Sequence, residues 1–200
     1  MSRLSYAIGG VVALAGAGLL SITDFHYEPA PPPLPVQRFA IAAPPASTPA
    51  VDRSPGLAIP VQGYRRADLH DSWGDARSGG RGHRGIDLMA REGTPVVAVV
   101  DGTIEKLFDS KLGGTTLYLR SADRGWMYYY AHLAGYASGV REGLPVRRGQ
   151  VLGYVGDTGD AGEGNHHLHF STSRMKDGER WYEGQDVNPY PLLAEREGRR

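Results

Sequence analysis

The 200-residue chain has no cysteine, which excludes a disulfide framework, a thiolate metal site and a cysteine nucleophile. Any metal must therefore be held by histidine, aspartate or glutamate. A charge excess is also missing: 22 basic residues balance 22 acidic ones, so no strongly basic face is required and nucleic acid is not an expected partner. Beyond residue 60 no segment shows a long, capped helical periodicity. No His-Glu-x-x-His stretch is present either, which removes the helix-borne metal site that carries its own glutamate base.

Only one long apolar run occurs, the 19 uncharged residues from Leu4 to Ile22, preceded by Arg3 and followed by Asp24 and Glu28. A bilayer core of about 30 Å needs about 20 apolar residues as a helix, so the run just spans it, with its positive end in the cytoplasm. No convincing small-x-small cleavage site follows it. Residues 1–28 are therefore expected to be an uncleaved signal anchor, with a cleaved signal peptide as the competing reading; both export the rest of the chain to the periplasm or cell envelope. Residues 29–60 hold 10 of the 14 prolines and a single aromatic, Phe39. Such a composition cannot bury enough apolar surface to fold alone and reads as a disordered, semi-stiff linker. Fully extended at about 3.1 Å per residue, its reach is on the order of 100 Å.

Residues 61–193 read as one domain, followed by a charged tail over 194–200. Short apolar runs such as "PVVAVVDGTIEKLF", "TTLYLR", "WMYYYAHL" and "QVLGYVG" are each bounded by Gly, Asp or Ser. That spacing predicts an all-β, mainly antiparallel domain of barrel or sandwich type.

Five of the seven histidines fall in three places. In "GNHHLHF", period-two alternation puts His167 and His169 on one face of a strand, turns Leu168 into apolar packing and leaves His166 pointing away. In "GHRGID", Gly82 and Gly85 disfavour a helix, so His83 and Asp87 are read on a loop entering a strand, on one side of it. Imidazole and carboxylate together suit zinc, and three such ligands with an open fourth position define a catalytic site. His83, Asp87 and one histidine of the cluster would supply that set, although the His-x-x-x-Asp spacing alone fits a surface salt bridge. In "YYYAHL", an extended strand puts Tyr128, Tyr130 and His132 on one face and Tyr129 and Ala131 on the other. Residues 61–79 are read as a solvated loop, even though Asp68, His70, Asp71 and Asp75 lie close enough in sequence to His83 to be imagined as inhibitory ligands.

Taken together and in this order, "HRGIDL", "YYAHL" and "HLHF" resemble the lysostaphin/LytM-type peptidoglycan metalloendopeptidases, over roughly residues 80–175. The resemblance implies a β-rich fold with a groove over one zinc ion held by His83, Asp87 and His169. It also implies two non-ligand catalytic histidines, His132 and His167, and peptidoglycan cross-links as substrate. The chain departs from the common family pattern at His166 and Ser171, where many members have proline and glutamate; neither position is a ligand in the family. With no glutamate base, His132 and His167 are expected to share proton transfer and oxyanion stabilisation. The alternative is a non-catalytic LytM-like module that activates or scaffolds a partner hydrolase, the regulatory protein then being its partner. Degenerate modules of that kind lack some metal ligands, and this chain lacks none of the five residues.

Overall fold

The computed structural model describes residues 56–194. The expected anchor, most of the linker and all but the first residue of the tail lie outside the described residues, and no helix among these is long and apolar enough to cross a membrane.

Nine strands follow one another: β1 Ile86–Met89, β2 Pro95–Val97, β3 Gly102–Ser110, β4 Gly114–Ser121, β5 Trp126–Tyr136, β6 Pro145–Val146, β7 Val151–Val155, β8 His167–Arg174 and β9 Gln185–Val187. One short helix, α1 Pro189–Ala194, ends the series. All pairings are antiparallel. The main path runs β1-β8-β5-β4-β3-β6, with β7 joined to β5 and β2, and β9 to β8. The described domain is thus mostly antiparallel sheet, as the glycine-punctuated apolar runs predict.

Alternation explains which face is buried. Leu168 and Phe170 of β8, Leu117 and Leu119 of β4, Ile86 and Leu88 of β1, and Tyr128 and Tyr130 of β5 are all sealed in one core. Their neighbours of opposite parity face the other side of the sheet, where Asp87 is registered against His169 and His169 against Ala131. Because directly opposed residues share a face, Asp87, His169 and Ala131 form one row across three strands.

The ends of the folded part are clamped to it. Arg66 donates to the backbone oxygens of Leu57 and Leu193, and Ala58 is buried with its amide bonded to Val99 O at 2.9 Å. The segment before β1, expected to be a solvated loop, is mostly exposed, but it is anchored on the domain at Ser72, which is buried, and residues 74–83 form a small hairpin bridged at Ala76 and Gly82.

Candidate metal centre and its cleft

A cleft of about 860 Å³ runs over the row of polar residues, and His83, Asp87, His132, His167 and His169 all line it. His83 stands on the loop entering β1, and Asp87 is the second residue of that strand. His83 Nε2 lies 2.9 Å from His169 Nδ1, and Asp87 Oδ1 lies 3.2 Å from each of them. Four-coordinate zinc with bonds of about 2.0–2.1 Å needs ligand atoms about 3.3 Å apart, so two imidazole nitrogens and one carboxylate oxygen already fit such an ion.

Each of these side chains is aimed by a neighbour. His83 gives its Nδ1 proton to the Ser72 carbonyl at 2.8 Å, which leaves the Nε2 lone pair towards the centre. His169 rests on Gly85: a β-carbon at residue 85 would stand 2.8 Å from the ring's Cε1 and Nε2. This close approach explains the glycine in "HRGID", and it leaves Nδ1 of His169 facing Asp87. Arg77 donates to Asp87 Oδ2 and the Ser72 hydroxyl accepts the Asp87 amide at 3.3 Å. With its Nδ1 proton spent on Ser72, His83 does not hold the Arg77 guanidinium 2.9 Å away; Asp87 does. Burial by itself raises the Asp87 carboxyl, but hydrogen bonds and charge from His169 and His83 outweigh it and hold the group far below the usual carboxylate range. Burial lowers the His169 imidazole below its ordinary value, although the hydrogen bond and charge of Asp87 oppose this.

The remaining two histidines flank the triangle. His167 Nε2 is 3.9 Å from Asp87 Oδ1, and the His132 and His167 rings are 4.7 Å apart, centroid to centroid. Each spends its Nδ1 proton on a backbone carbonyl, His167 on Asn165 O and His132 on Thr158 O, both at 2.7 Å. In the neutral form of either ring, Nε2 is then the acceptor nitrogen. Burial lowers the His132 imidazole below its ordinary value, although the Thr158 bond opposes this.

One sequence expectation fails here. Alternation puts His132 on the face of Tyr128 and Tyr130, yet those tyrosines are in the core while His132 lines the cleft beside Tyr129 and Ala131. The cause is a bulge. His132 adopts a left-handed backbone, φ 59°, and the pairing of β5 with β4 slips between Leu117 and Thr115. At this point β5 also leaves β8, whose last partner is Ala131, and takes up β7 from Leu133 onward. A β-bulge inserts an extra residue and reverses the parity beyond it, so Leu133 returns to the core while His132 is turned to the cleft. His166 stays off the site, 3.7 Å from Asp157 and 4.0 Å from Glu92. Asp68, His70, Asp71 and Asp75 are not in the metal-competent group.

Arg77, Ser72, Thr158 and Asn165 were not among the sequence-derived candidates. The last three act chiefly through backbone carbonyls, which no residue pattern reveals. Arg77 holds one oxygen of Asp87 and leaves the other turned inward, so Arg77→Met is expected to weaken the affinity of this group for a metal ion about 10- to 100-fold, the usual cost of losing an outer-sphere partner. Competition with a chromophoric chelator measures this; unchanged affinity would remove Arg77 from the site.

A profile for peptidase family M23 matches residues 81–189. The chain is 35% identical over 129 residues to an L-Ala--D-Glu endopeptidase of Bacillus subtilis, covering 61% of this chain and 38% of that protein. It is 36% identical over 129 residues to a DD-carboxypeptidase/endopeptidase of Neisseria meningitidis, covering 64% of this chain and 25% of that one. Among solved structures, the catalytic domain of lysostaphin from Staphylococcus simulans superposes with a TM-score of 0.54 at 30% identity, over 65% of this chain and 96% of that domain. The chain thus spans well under half the length of the two curated relatives, whereas it covers nearly all of the lysostaphin domain.

Proposed function

Because this chain belongs to peptidase family M23, we propose that its cleft is the active site of a zinc-dependent endopeptidase cutting peptide cross-links of bacterial peptidoglycan. The observation that carries the reading is the triangle of His83 Nε2, Asp87 Oδ1 and His169 Nδ1 with His132 and His167 beside it, each held by Nδ1 to a backbone carbonyl. The named activities of the relatives, all on peptide bonds, point the same way.

In this reading His83, Asp87 and His169 hold zinc, which when bound supplies a Lewis acid for the scissile carbonyl and acidifies a water molecule. The chain's own residues do the rest. His132 and His167, whose Nδ1 protons are tied to Thr158 and Asn165, offer Nε2 as acceptor for the proton of the attacking water. Once protonated there, either ring donates to the developing oxyanion or to the leaving amine. Sharing the work between two imidazoles replaces the glutamate base that the sequence lacks.

Digestion of purified sacculi by the zinc-loaded full chain, with muropeptides identified by mass spectrometry, tests the reading: cross-linked species should disappear and the products name the bond. Intact sacculi beside a fully zinc-loaded protein would overturn it. Two variants sharpen the test. His132→Ala should keep its zinc, because His132 lies outside the triangle, and lose on the order of 10²- to 10⁴-fold in turnover. In the wild type, the lowered His132 pKa means that its neutral, proton-accepting form persists to more acid pH than a free imidazole allows. The acid limb of kcat/KM should therefore fall below about pH 6.5, and a limb at or above that value would remove His132 as the base.

On the same reading the domain lies in the cell envelope, tethered by residues 4–22 and spaced from the bilayer by residues 29–55, because residues 57–60, expected to belong to the linker, pack into the domain. Resistance of the full chain to alkaline extraction from membranes, with the domain open to protease added outside, would support that topology; extraction into the soluble fraction would contradict it.

A further inference from the structure

Resting on the endopeptidase reading, we infer that a platform of aromatic rings beside the cleft, built around Trp181, binds the glycan strand that carries the peptide substrate. Among the described residues four large apolar side chains are exposed, Met89, Phe108, Leu112 and Tyr182. Two of the four pack on Trp181, the Phe108 ring at 5.6 Å and the Tyr182 ring at 5.0 Å between centroids. Both remain about half open to solvent, 43% and 54%. Apolar groups gathered in one exposed patch, rather than scattered singly, mark a contact surface.

The patch extends the cleft. Tyr129 lines the cleft with its ring edge-to-face on His169 at 5.9 Å. Tyr118 of β4 lies opposite Tyr129 of β5, 4.7 Å between rings, and Trp181 stands on Tyr118 at 4.6 Å. Phe108 joins them because Lys106 is the partner of Tyr118 on β3 and Phe108 follows two residues later on the same face. Three ring-to-ring steps thus connect the metal centre to the platform, a span that about four or five extended residues cover. A peptide bond at the metal centre and a sugar on the platform therefore fit one stem. The loop carrying Trp181 and Tyr182 is braced from both sides. Arg120 donates to Glu179 O at 2.9 Å, and Glu183 accepts the Arg180 amide at 2.8 Å and its guanidinium at 2.6 and 2.9 Å. Rings fixed in advance lose little freedom when a ligand lands on them.

The chemistry and the position single out a carbohydrate. A pyranose offers C–H groups to flat rings and hydroxyls to the polar groups around them, and charged pairs flank these rings, Arg180 with Glu183 and Lys106 with Glu142. A bilayer or a second protein laid on this face would also cover the cleft that it continues, and so keep substrate out. The glycan arrives with the substrate, since sugar and stem are covalently joined.

The test titrates chitotetraose, a β-1,4-linked N-acetylglucosamine oligomer without peptide, into the zinc-loaded full chain. Heat measures affinity and indole emission locates the site. Binding should saturate, with an emission change that Trp181→Phe removes although Trp73 and Trp126 remain. Trp181→Ala should weaken binding about three- to tenfold, the scale of a lost aromatic contact. Phe108→Ser, on a strand rather than on the loop, should weaken it too, which separates loss of the platform from collapse of the loop. No binding, binding that both variants leave unaltered, or an emission change that persists in Trp181→Phe would overturn the inference. A Trp181 emission change on phosphatidylglycerol vesicles with none on the sugar would overturn it in favour of a membrane contact. The probe contains no peptide bond, so sugar binding is decided whether or not sacculi are cut; uncut sacculi count against the endopeptidase reading instead.

Discussion

His169→Ala should lose zinc and peptidoglycan cleavage together. His169 supplies one of three inward-facing donors, and its Nδ1 is set by contact with Gly85 on one side and by Asp87 at 3.2 Å on the other. No other side chain among the described residues completes a metal-competent group. Since losing even an outer-sphere partner costs about 10- to 100-fold in metal affinity, removing a direct donor should cost more than about 100-fold. The fold should survive, because His169 belongs to the cleft face while Leu168 and Phe170 on either side fill the core. The measurement is zinc per protein after gel filtration, beside muropeptide release and thermal unfolding of the metal-free proteins. A variant holding one zinc ion and cutting normally would refute the assignment of His169. Comparison with His132→Ala is informative, since that change should separate the two losses.

Glu105→Leu should be strongly destabilising although it lies outside the cleft. Arg120, with a side chain only 2% exposed, is held by Glu105 through two bonds of 2.6 and 2.8 Å. Removing the acid strands a charge that arginine cannot shed, at a cost of about 3 kcal/mol, the low end for a broken buried pair because Glu105 itself is partly solvated. Arg120 also donates to Glu179 O at 2.9 Å, which pins the loop whose Trp181 packs on Tyr118 at 4.6 Å between centroids. Loss of the acid should therefore lower the denaturation midpoint and open that loop to proteolysis. The double replacement Glu105→Leu with Arg120→Met should recover most of the loss. A pH series supplies an independent check. The Arg120 hydrogen bond, against opposing burial, holds the Glu105 carboxyl below its ordinary value. The pair's contribution is then fully present above the usual carboxylate value of about 4.3 and declines as pH falls through the lower folded value. Wild-type stability should show that acid loss, and Glu105→Leu should lack it.

Much of this was legible in the chain alone because it rests on local rules. Alternation in "HLHF" separates His167 and His169 from Leu168 and Phe170, and the structure puts the two sets on opposite faces. The glycines of "GHRGID" disfavour a helix, and Asp87 stands on a short strand behind a loop. The absence of cysteine restricts any metal to imidazole and carboxylate donors, a limit set by composition before any folding.

What only the tertiary structure decided is how residues far apart in sequence meet, and which way each one faces when they do. The face of His132 depends on the point where β5 exchanges β8 for β7, a bulge that period-two reasoning reverses. Ser72 and Arg77, read as part of a solvated loop, are drawn to the site because a folded-back hairpin lays them on His83 and Asp87. Thr158 and Asn165 set the ring tautomers through carbonyl oxygens that every residue possesses. A carbonyl carries no signature in the sequence: its role follows from its position, and position comes from pairing across the sheet.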